Sequence, residues 1–140
     1  MKSKIIIEAV CDGMKTAAKG AIYGMLSGEV DRLYMNINDI SIDGDICEAS
    51  ILKDSNAAVY FESDEDILYD MVKYSKKYPY CEFLYATALS DGAAANAFIV
   101  QNGIIVKEAC RQEDWTGFTE ELNSMIDCKS TDAIRDMLGW

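Results

Sequence analysis

The sequence contains no histidine, and this absence removes several classes of site at once. Histidine is the commonest general base, it activates the serine or cysteine nucleophile of many enzymes, and it is the most frequent metal ligand. The phosphate-binding patterns G-x-x-x-x-G-K-[ST] and G-x-G-x-x-G are also missing. The sequence therefore predicts no catalytic residue, no metal ligand and no cofactor-binding residue.

Long apolar segments are missing as well. The first apolar run, Ile5 to Ile7, is shorter than the roughly 7–15 residues of a secretory signal, and no window approaches the roughly 18 apolar residues that span a membrane. The five cysteines are widely spaced without a C-x-x-C pair, which is a poor disulfide framework and is typical of small buried hydrophobic residues. These features predict a soluble protein in the reducing cytoplasm.

Proline is scarce too, since Pro79 is the only one in 140 residues. No low-complexity tract or linker interrupts the chain, and its length is ordinary for one domain. The composition is that of a globular protein, with 50% hydrophobic and 26% charged residues. We therefore expect a single α+β domain over residues 1–140.

Hydrophobic periodicity predicts the order β-α-β-β-β-α-β-β-β-α-α. The strands show apolar alternation or β-branched runs, and they lie at about residues 4–10, 33–42, 46–51, 57–62, 81–89, 94–101 and 104–109. Helical spacing predicts helices at about 14–27 and 64–78 and two more near the C-terminus. Asp43-Gly44 and Asn102-Gly103 are strong signals for tight hairpin turns, and Ser63 is a candidate cap for the second helix.

Helices separated by hairpins, rather than one helix after every strand, favour a mostly antiparallel sheet. We predict a ferredoxin-like split β-α-β core with an extra hairpin, two helices on one face of the sheet and a helical C-terminal extension. The residues expected in the core are Ile5, Ile7, Ile22, Met25, Leu33, Met35, Val59, Phe61, Leu68, Met71, Val72, Phe83, Phe98, Val100, Ile104 and Val106.

Five short segments resemble a known family. They are Ala58-Val-Tyr-Phe-Glu-Ser, the helix end Lys76-Lys-Tyr-Pro79, the strand Cys81-Glu-Phe-Leu-Tyr85, Gly92-Ala-Ala and the Asn102-Gly103 turn. Together they resemble the ferredoxin-like domain of Api92-like proteins. That resemblance implies the same fold and an origin on a phage or plasmid. Because the family has no defined activity, the resemblance assigns no site residue.

Negative charge is the strongest compositional signal. The net charge is −11, and residues 29–70 contain twelve acidic against two basic side chains. Such a balance disfavours nucleic acids and anionic membranes and favours a basic partner. We interpret the protein as a non-catalytic protein-binding module that inhibits a nucleic-acid-binding protein by imitating phosphates, as anti-defence and anti-CRISPR proteins do. The candidate partner-binding residues are Asp43, Asp45, Glu62, Asp64, Glu65 and Asp66.

Several other interpretations compete with this one. The acidic surface is also explained by solvation alone. A turn bracketed by Asp39, Asp43 and Asp45 resembles a binding site for Ca²⁺ or Mg²⁺, although aspartate is an ordinary turn residue. Tyrosines interleaved with the lysines of residues 73–77 resemble a nucleic-acid platform, but lysines solvating a helix explain them better. The alternative function is a small-molecule-binding protein, or an enzyme that uses carboxylates or lysines in a pocket without a known motif.

Overall fold

A computed structural model describes residues 3–12, 15–26, 56–63, 66–109 and 115–140. The described strands are β1 (Ser3–Val10), β2 (Asn56–Ser63), β3 (Glu82–Leu89), β4 (Ala95–Gln101) and β5 (Ile104–Glu108). The described helices are α1 (Lys15–Leu26), α2 (Leu68–Tyr74), α3 (Trp115–Asp127) and α4 (Thr131–Leu138), and a 3-10 turn, Ser75–Lys77, continues α2. The predicted strands between residues 33 and 51, with their Asp43-Gly44 turn, lie outside the described residues.

The described strands form one five-stranded antiparallel sheet in the order β2-β1-β3-β4-β5. Strand β1 lies inside the sheet, where Ile7 is opposite Val59 of β2 on one side and Tyr85 of β3 on the other. The chain is therefore an α+β protein with an antiparallel sheet, as the sequence predicted. Within the described ranges, every helix is too short or too polar to span a bilayer.

Helices α1 and α2 pack on the same face of the sheet. Their buried side chains, among them Ile22 and Met71, join inward-facing residues of β1 to β4 in one apolar cluster. Two tyrosines tie the helices together, because the Tyr74 hydroxyl donates to the carbonyl of Ala21 at 2.5 Å and the Tyr78 hydroxyl donates to that of Gly20 at 3.3 Å. The predicted packing of these two helices on one face is confirmed.

Helices α3 and α4 cover the opposite face. Phe118, Leu122 and Ile126 of α3 and Ile134 of α4 pack against a second cluster that contains Ile6. The side chains of β3 and β4 on this face are small, mostly alanine, which lets α3 approach the sheet closely. The sheet therefore separates two apolar cores, and the C-terminal helices are an integral layer of the fold.

The expectation that the cysteines are unpaired is wrong for two of them. Cys11 and Cys81 form a disulfide, with their Cα atoms 4.6 Å apart. The strand register explains the disulfide, because Val10 lies opposite Glu82 at the end of the β1–β3 pairing. Cys11 follows Val10 and Cys81 precedes Glu82, so the two cysteines are the next opposed residues beyond that pair. Cys128 is free but exposed, so it is not a buried hydrophobic residue either. Cys47 and Cys110 lie outside the described residues.

Two predicted core residues, Ile104 and Val106, are exposed to 64% and 53% in β5. Their alternation indicated a strand correctly, but β5 is the last strand of the described sheet and none of its residues is buried. Leu68 and Val72 are partly buried against the first cluster, and the other predicted core residues of the described ranges are buried. Leu33 and Met35 lie outside the described residues.

The predicted cap of the second helix is also wrong. Helix α2 begins at Leu68, four residues later than expected, and Ser63 is a buried residue of β2. The Asp66 side chain accepts a hydrogen bond from the Leu68 amide at 3.0 Å instead. The predicted Asn102-Gly103 turn is confirmed, since both residues have positive φ angles, 49° and 80°.

Candidate functional site

Of the acidic residues predicted to bind a partner, Glu62 and Asp66 can be placed. Glu62 is half-buried in β2, and Asp66 is exposed just before α2. The other predicted residues, Asp43, Asp45, Asp64 and Glu65, lie outside the described residues.

Glu62 lies on the face of the sheet that α3 and α4 cover. It hydrogen-bonds the hydroxyl of Tyr60, which packs against the second apolar cluster. Burial, together with the nearby charges of Glu62 and Asp127, raises the pKa of Tyr60 above its usual value. The Lys129 ammonium lies 4.7 Å from the centre of the Tyr60 ring. Glu62 is thus one member of a mixed polar group at the β2 edge.

Asp66 lies on the other face, against Tyr85 of β3. The Tyr85 hydroxyl donates to Asp66 Oδ1 at 2.5 Å and accepts from the Ile67 amide at 3.1 Å. Burial is the main cause that raises the pKa of Tyr85 far above its usual value, and the Asp66 charge adds to it. Tyr85 is therefore a neutral donor that fixes the Asp66 carboxylate. Glu62 and Asp66, four residues apart, are directed to opposite faces of the sheet.

Two tyrosines of the lysine-rich segment, Tyr74 and Tyr78, pack inward and are not available for stacking, whereas Tyr69 and Tyr80 are exposed. The Tyr74 ring is buried and packs edge-on against Phe83, with 6.3 Å between ring centres, while Tyr78 packs beside it. The side chains of Lys73, Lys76 and Lys77 are exposed. Because the neighbouring rings are used to join α1 and α2, this arrangement favours lysines that solvate the helix.

Strand β5 is the most unusual surface in the described part of the chain. All five of its residues are exposed, and three consecutive ones are β-branched and apolar: Ile104, Ile105 and Val106, with 64%, 42% and 53% exposure. One edge of β5 pairs with β4, and no other described strand pairs with the opposite edge. This surface was not predicted from the sequence, because the alternation of apolar and polar residues indicates a strand but not its position at the end of a sheet.

The hairpin that holds β5 is anchored to the rest of the fold. The Gly103 amide donates to Ser75 Oγ at 2.8 Å, and the Lys76 side chain packs over Gly103. The β4–β5 register shifts between Ile99 and Val100, so Val106 has no partner on β4. Such a bulge leaves a strand locally more twisted and one residue longer. The exposed apolar strand is therefore held in place at its turn and is irregular near its centre.

Comparison of the chain with protein-family models, curated proteins and solved structures gives no match. Within the ranges that the structure describes, no three cysteine, aspartate or glutamate side chains come together as metal ligands. The Asp39, Asp43 and Asp45 turn considered for a metal lies outside those ranges.

Proposed function

We propose that this chain is a non-catalytic protein-binding module that docks its partner on strand β5. The observation that carries the proposal is the exposure of Ile104, Ile105 and Val106 in one strand at the end of the described sheet. Proteins usually protect a terminal strand with charges, proline or a covering element, since its unpaired N–H and C=O groups attract other strands. Here the three apolar residues are followed only by Lys107 and Glu108.

A partner can use β5 in two ways at the same time. An extended segment of the partner adds a strand to the open edge and takes the backbone hydrogen bonds. Its side chains also cover the apolar residues, and burying a valine or isoleucine fully contributes about 1.5–3 kcal/mol. The bulge at Val106 limits regular pairing to a short stretch on either side of it. The added strand is accordingly short, and side-chain contacts supply much of the affinity.

The charge supports a partner with a basic surface. A net charge of −11 accelerates association with such a partner, and the acceleration falls as salt rises. The acidic residues proposed to attract the partner are Asp43, Asp45, Glu62, Asp64, Glu65 and Asp66. Glu62 and Asp66 are directed to opposite faces of the sheet, so these two contribute through long-range attraction and not as one contact surface. A basic, nucleic-acid-binding protein that is inhibited by this contact remains our proposed partner, and direct binding of nucleic acid is not part of the proposal.

The ferredoxin-like fold, the relationship to Api92-like proteins and the cytoplasmic location belong to the same proposal. A ferredoxin-like core is supported by the position of β1 between two antiparallel strands, β2 and β3, that lie on either side of α2 in the chain. The relationship to Api92-like proteins and the phage or plasmid origin rest on the sequence segments alone. The cytoplasmic location is also a proposal, and the Cys11–Cys81 disulfide counts against it, because disulfides are rare in reducing compartments.

The test is a binding assay with a partner purified from cells that naturally carry the protein. Ile104 and Val106 are changed together to threonine, which stays β-branched and adds no charge, so that the strand and the net charge are kept. We expect about a tenfold or greater loss of affinity from the lost apolar contacts. The matched control is Tyr80→Thr, since Tyr80 is 80% exposed but lies in the turn before β3. Equal affinities for both variants and the natural protein would refute β5 as the docking element.

A further inference from the structure

A cavity of about 340 Å³ lies on the face of the sheet that carries α1 and α2, beside the start of α2. It is bounded by the first residue of β1, by the end of β3 with the start of β4, and by Asp66. Its volume falls within the range of about 300–1,000 Å³ that is usual for sites of small organic ligands. The cavity is partly open to solvent.

The described residues that line this cavity carry negative charge only. Among the described residues that line it, Asp66 is the only one with a formal charge, and none is a lysine or arginine. Both hydrogen bonds that Asp66 accepts, from Tyr85 and from the Leu68 amide, end on Oδ1. Oδ2 therefore has no hydrogen bond to another described residue, while the carboxylate as a whole is held in one orientation. Such a site attracts a cation and repels phosphates and carboxylates.

The remaining lining combines an aromatic wall with a few polar groups. Phe98, whose ring centre is 6.3 Å from that of Tyr85, forms the apolar part of the wall together with Leu89 and Ala94. Ala88 and Ala95 also line the cavity, but their side chains belong to the apolar cluster on the opposite face of the sheet. Thr87 and Ser3 supply hydroxyl groups. Aromatic rings attract ammonium groups through their π faces, and that attraction grows as water is excluded. Apolar walls with a few convergent polar groups are the usual composition of a ligand site.

We propose that this cavity binds a small organic amine in its protonated form. The ammonium group donates to Asp66 Oδ2, and the hydrocarbon part of the ligand lies against Phe98 and Leu89. Tyr85 is a positioning residue in this site, because it holds Asp66 through Oδ1 and leaves Oδ2 for the ligand. Strand β5 contributes no lining residue, so binding in this cavity is tested separately from docking on β5, although Asp66 is also one of the acidic residues proposed to attract the partner.

The proposal is tested with benzylamine as a probe and with benzyl alcohol and benzoate as its neutral and anionic counterparts. Amide chemical shifts of the isotope-labelled protein are followed during each titration. We expect benzylamine at millimolar concentration to shift the amides of Thr87, Leu89 and Asn96 in a saturable way. The neutral probe should bind at least about tenfold more weakly, because a hydrogen bond to a charged group contributes about 1.5–3 kcal/mol. Benzoate should not bind.

Two variants with the same change in net charge make the test specific. Asp66→Asn keeps an oxygen for Tyr85 but removes the charge, and we expect it to weaken benzylamine binding about tenfold or more. Asp136→Asn, on the exposed side of α4 and on the opposite face of the sheet, should leave binding unchanged. Saturable shifts lost only in Asp66→Asn support the site. Absence of saturable shifts, equal binding of benzoate, or full binding by a folded Asp66→Asn variant would overturn it.

Discussion

Glu8 and Arg135 are joined across the width of the fold, since Arg135 Nε donates to Glu8 Oε1 at 2.7 Å although 127 positions separate them in the sequence. Glu8 is fully buried in β1, and Arg135 of α4 is largely buried over it. The Thr131 hydroxyl donates to the other Glu8 oxygen at 2.8 Å. A charged residue on the central part of the sheet is thereby neutralised by the last helix of the chain.

Breaking this buried pair is expected to destabilise the protein strongly. Removing one partner of a buried pair leaves an uncompensated charge and costs about 3–5 kcal/mol, so Arg135→Met should lower the free energy of unfolding by that amount. The measurement is urea denaturation followed by circular dichroism. Asp136→Asn is the control, because Asp136 lies next to Arg135 on the same helix and is exposed. That variant should cost less than about 1 kcal/mol. Similar losses for both variants would contradict a special role for the buried pair.

Reduction of the Cys11–Cys81 disulfide should destabilise the fold without changing it. The bond closes a loop between residues 70 positions apart, and such a crosslink contributes about 2–4 kcal/mol. We expect reductant to lower the melting temperature of the natural protein. A Cys11→Ser/Cys81→Ser variant should melt at the lower temperature with or without reductant. Cys128→Ser, which changes an exposed free cysteine, should behave as the natural protein does. A double variant that melts at the same temperature as the oxidised natural protein would show that the bond contributes nothing.

Tyr85 should make stability sensitive to alkaline pH. Its pKa in the folded protein is raised, mainly by burial, above the value of about 10 for an unfolded chain. Above about pH 10 the unfolded chain loses the tyrosine proton while the folded protein keeps it, so unfolding is favoured. Below that pH the group contributes no pH dependence. Stability should therefore be level on the neutral side and fall as pH rises past the unfolded pKa.

The Tyr85→Phe variant checks this prediction. It removes the hydrogen bonds to Asp66 and to the Ile67 amide, so we expect a loss of about 1–3 kcal/mol at neutral pH. It should also show a smaller further loss on the alkaline side. Tyr80→Phe is the control, because Tyr80 is 80% exposed and its change should alter neither quantity. An unchanged alkaline profile in the Tyr85 variant would mean that other groups cause the pH dependence.

The strands and turns were predictable because their signals are local. Alternation and β-branching identified β1 to β5, and the Asn102-Gly103 pair identified the turn between β4 and β5 through its need for positive φ angles. The late start of α2 was missed, since Ser63 resembles a helix cap in sequence while its backbone continues β2. Local signals indicate an element well and its boundary less well.

The features that matter for function depend on contacts between residues that are far apart in the sequence. Cys11 and Cys81 become neighbours only because β1 pairs with β3, and no spacing rule indicates that pairing. Asp66 was selected for its charge, but its contact with Tyr85 arises from the packing of α2 over β3. Ile104 was assigned to the core because a β-branched strand usually has a covered face, and only the strand order shows that β5 lies at the end of the described sheet.

The proposal that β5 docks a partner is tested most directly by site-specific photocrosslinking in cells that naturally carry the protein. A photoreactive amino acid replaces Ile104 in one variant and Tyr69, which is 81% exposed on α2, in a matched control. We predict that the Ile104 position crosslinks to one basic protein and that the Tyr69 position does not. An excess of the natural protein without the photoreactive amino acid should suppress this crosslink, and an excess of the Ile104→Thr/Val106→Thr variant should suppress it less. Crosslinking only to a second copy of the chain, or equal crosslinking from both positions, would contradict the account.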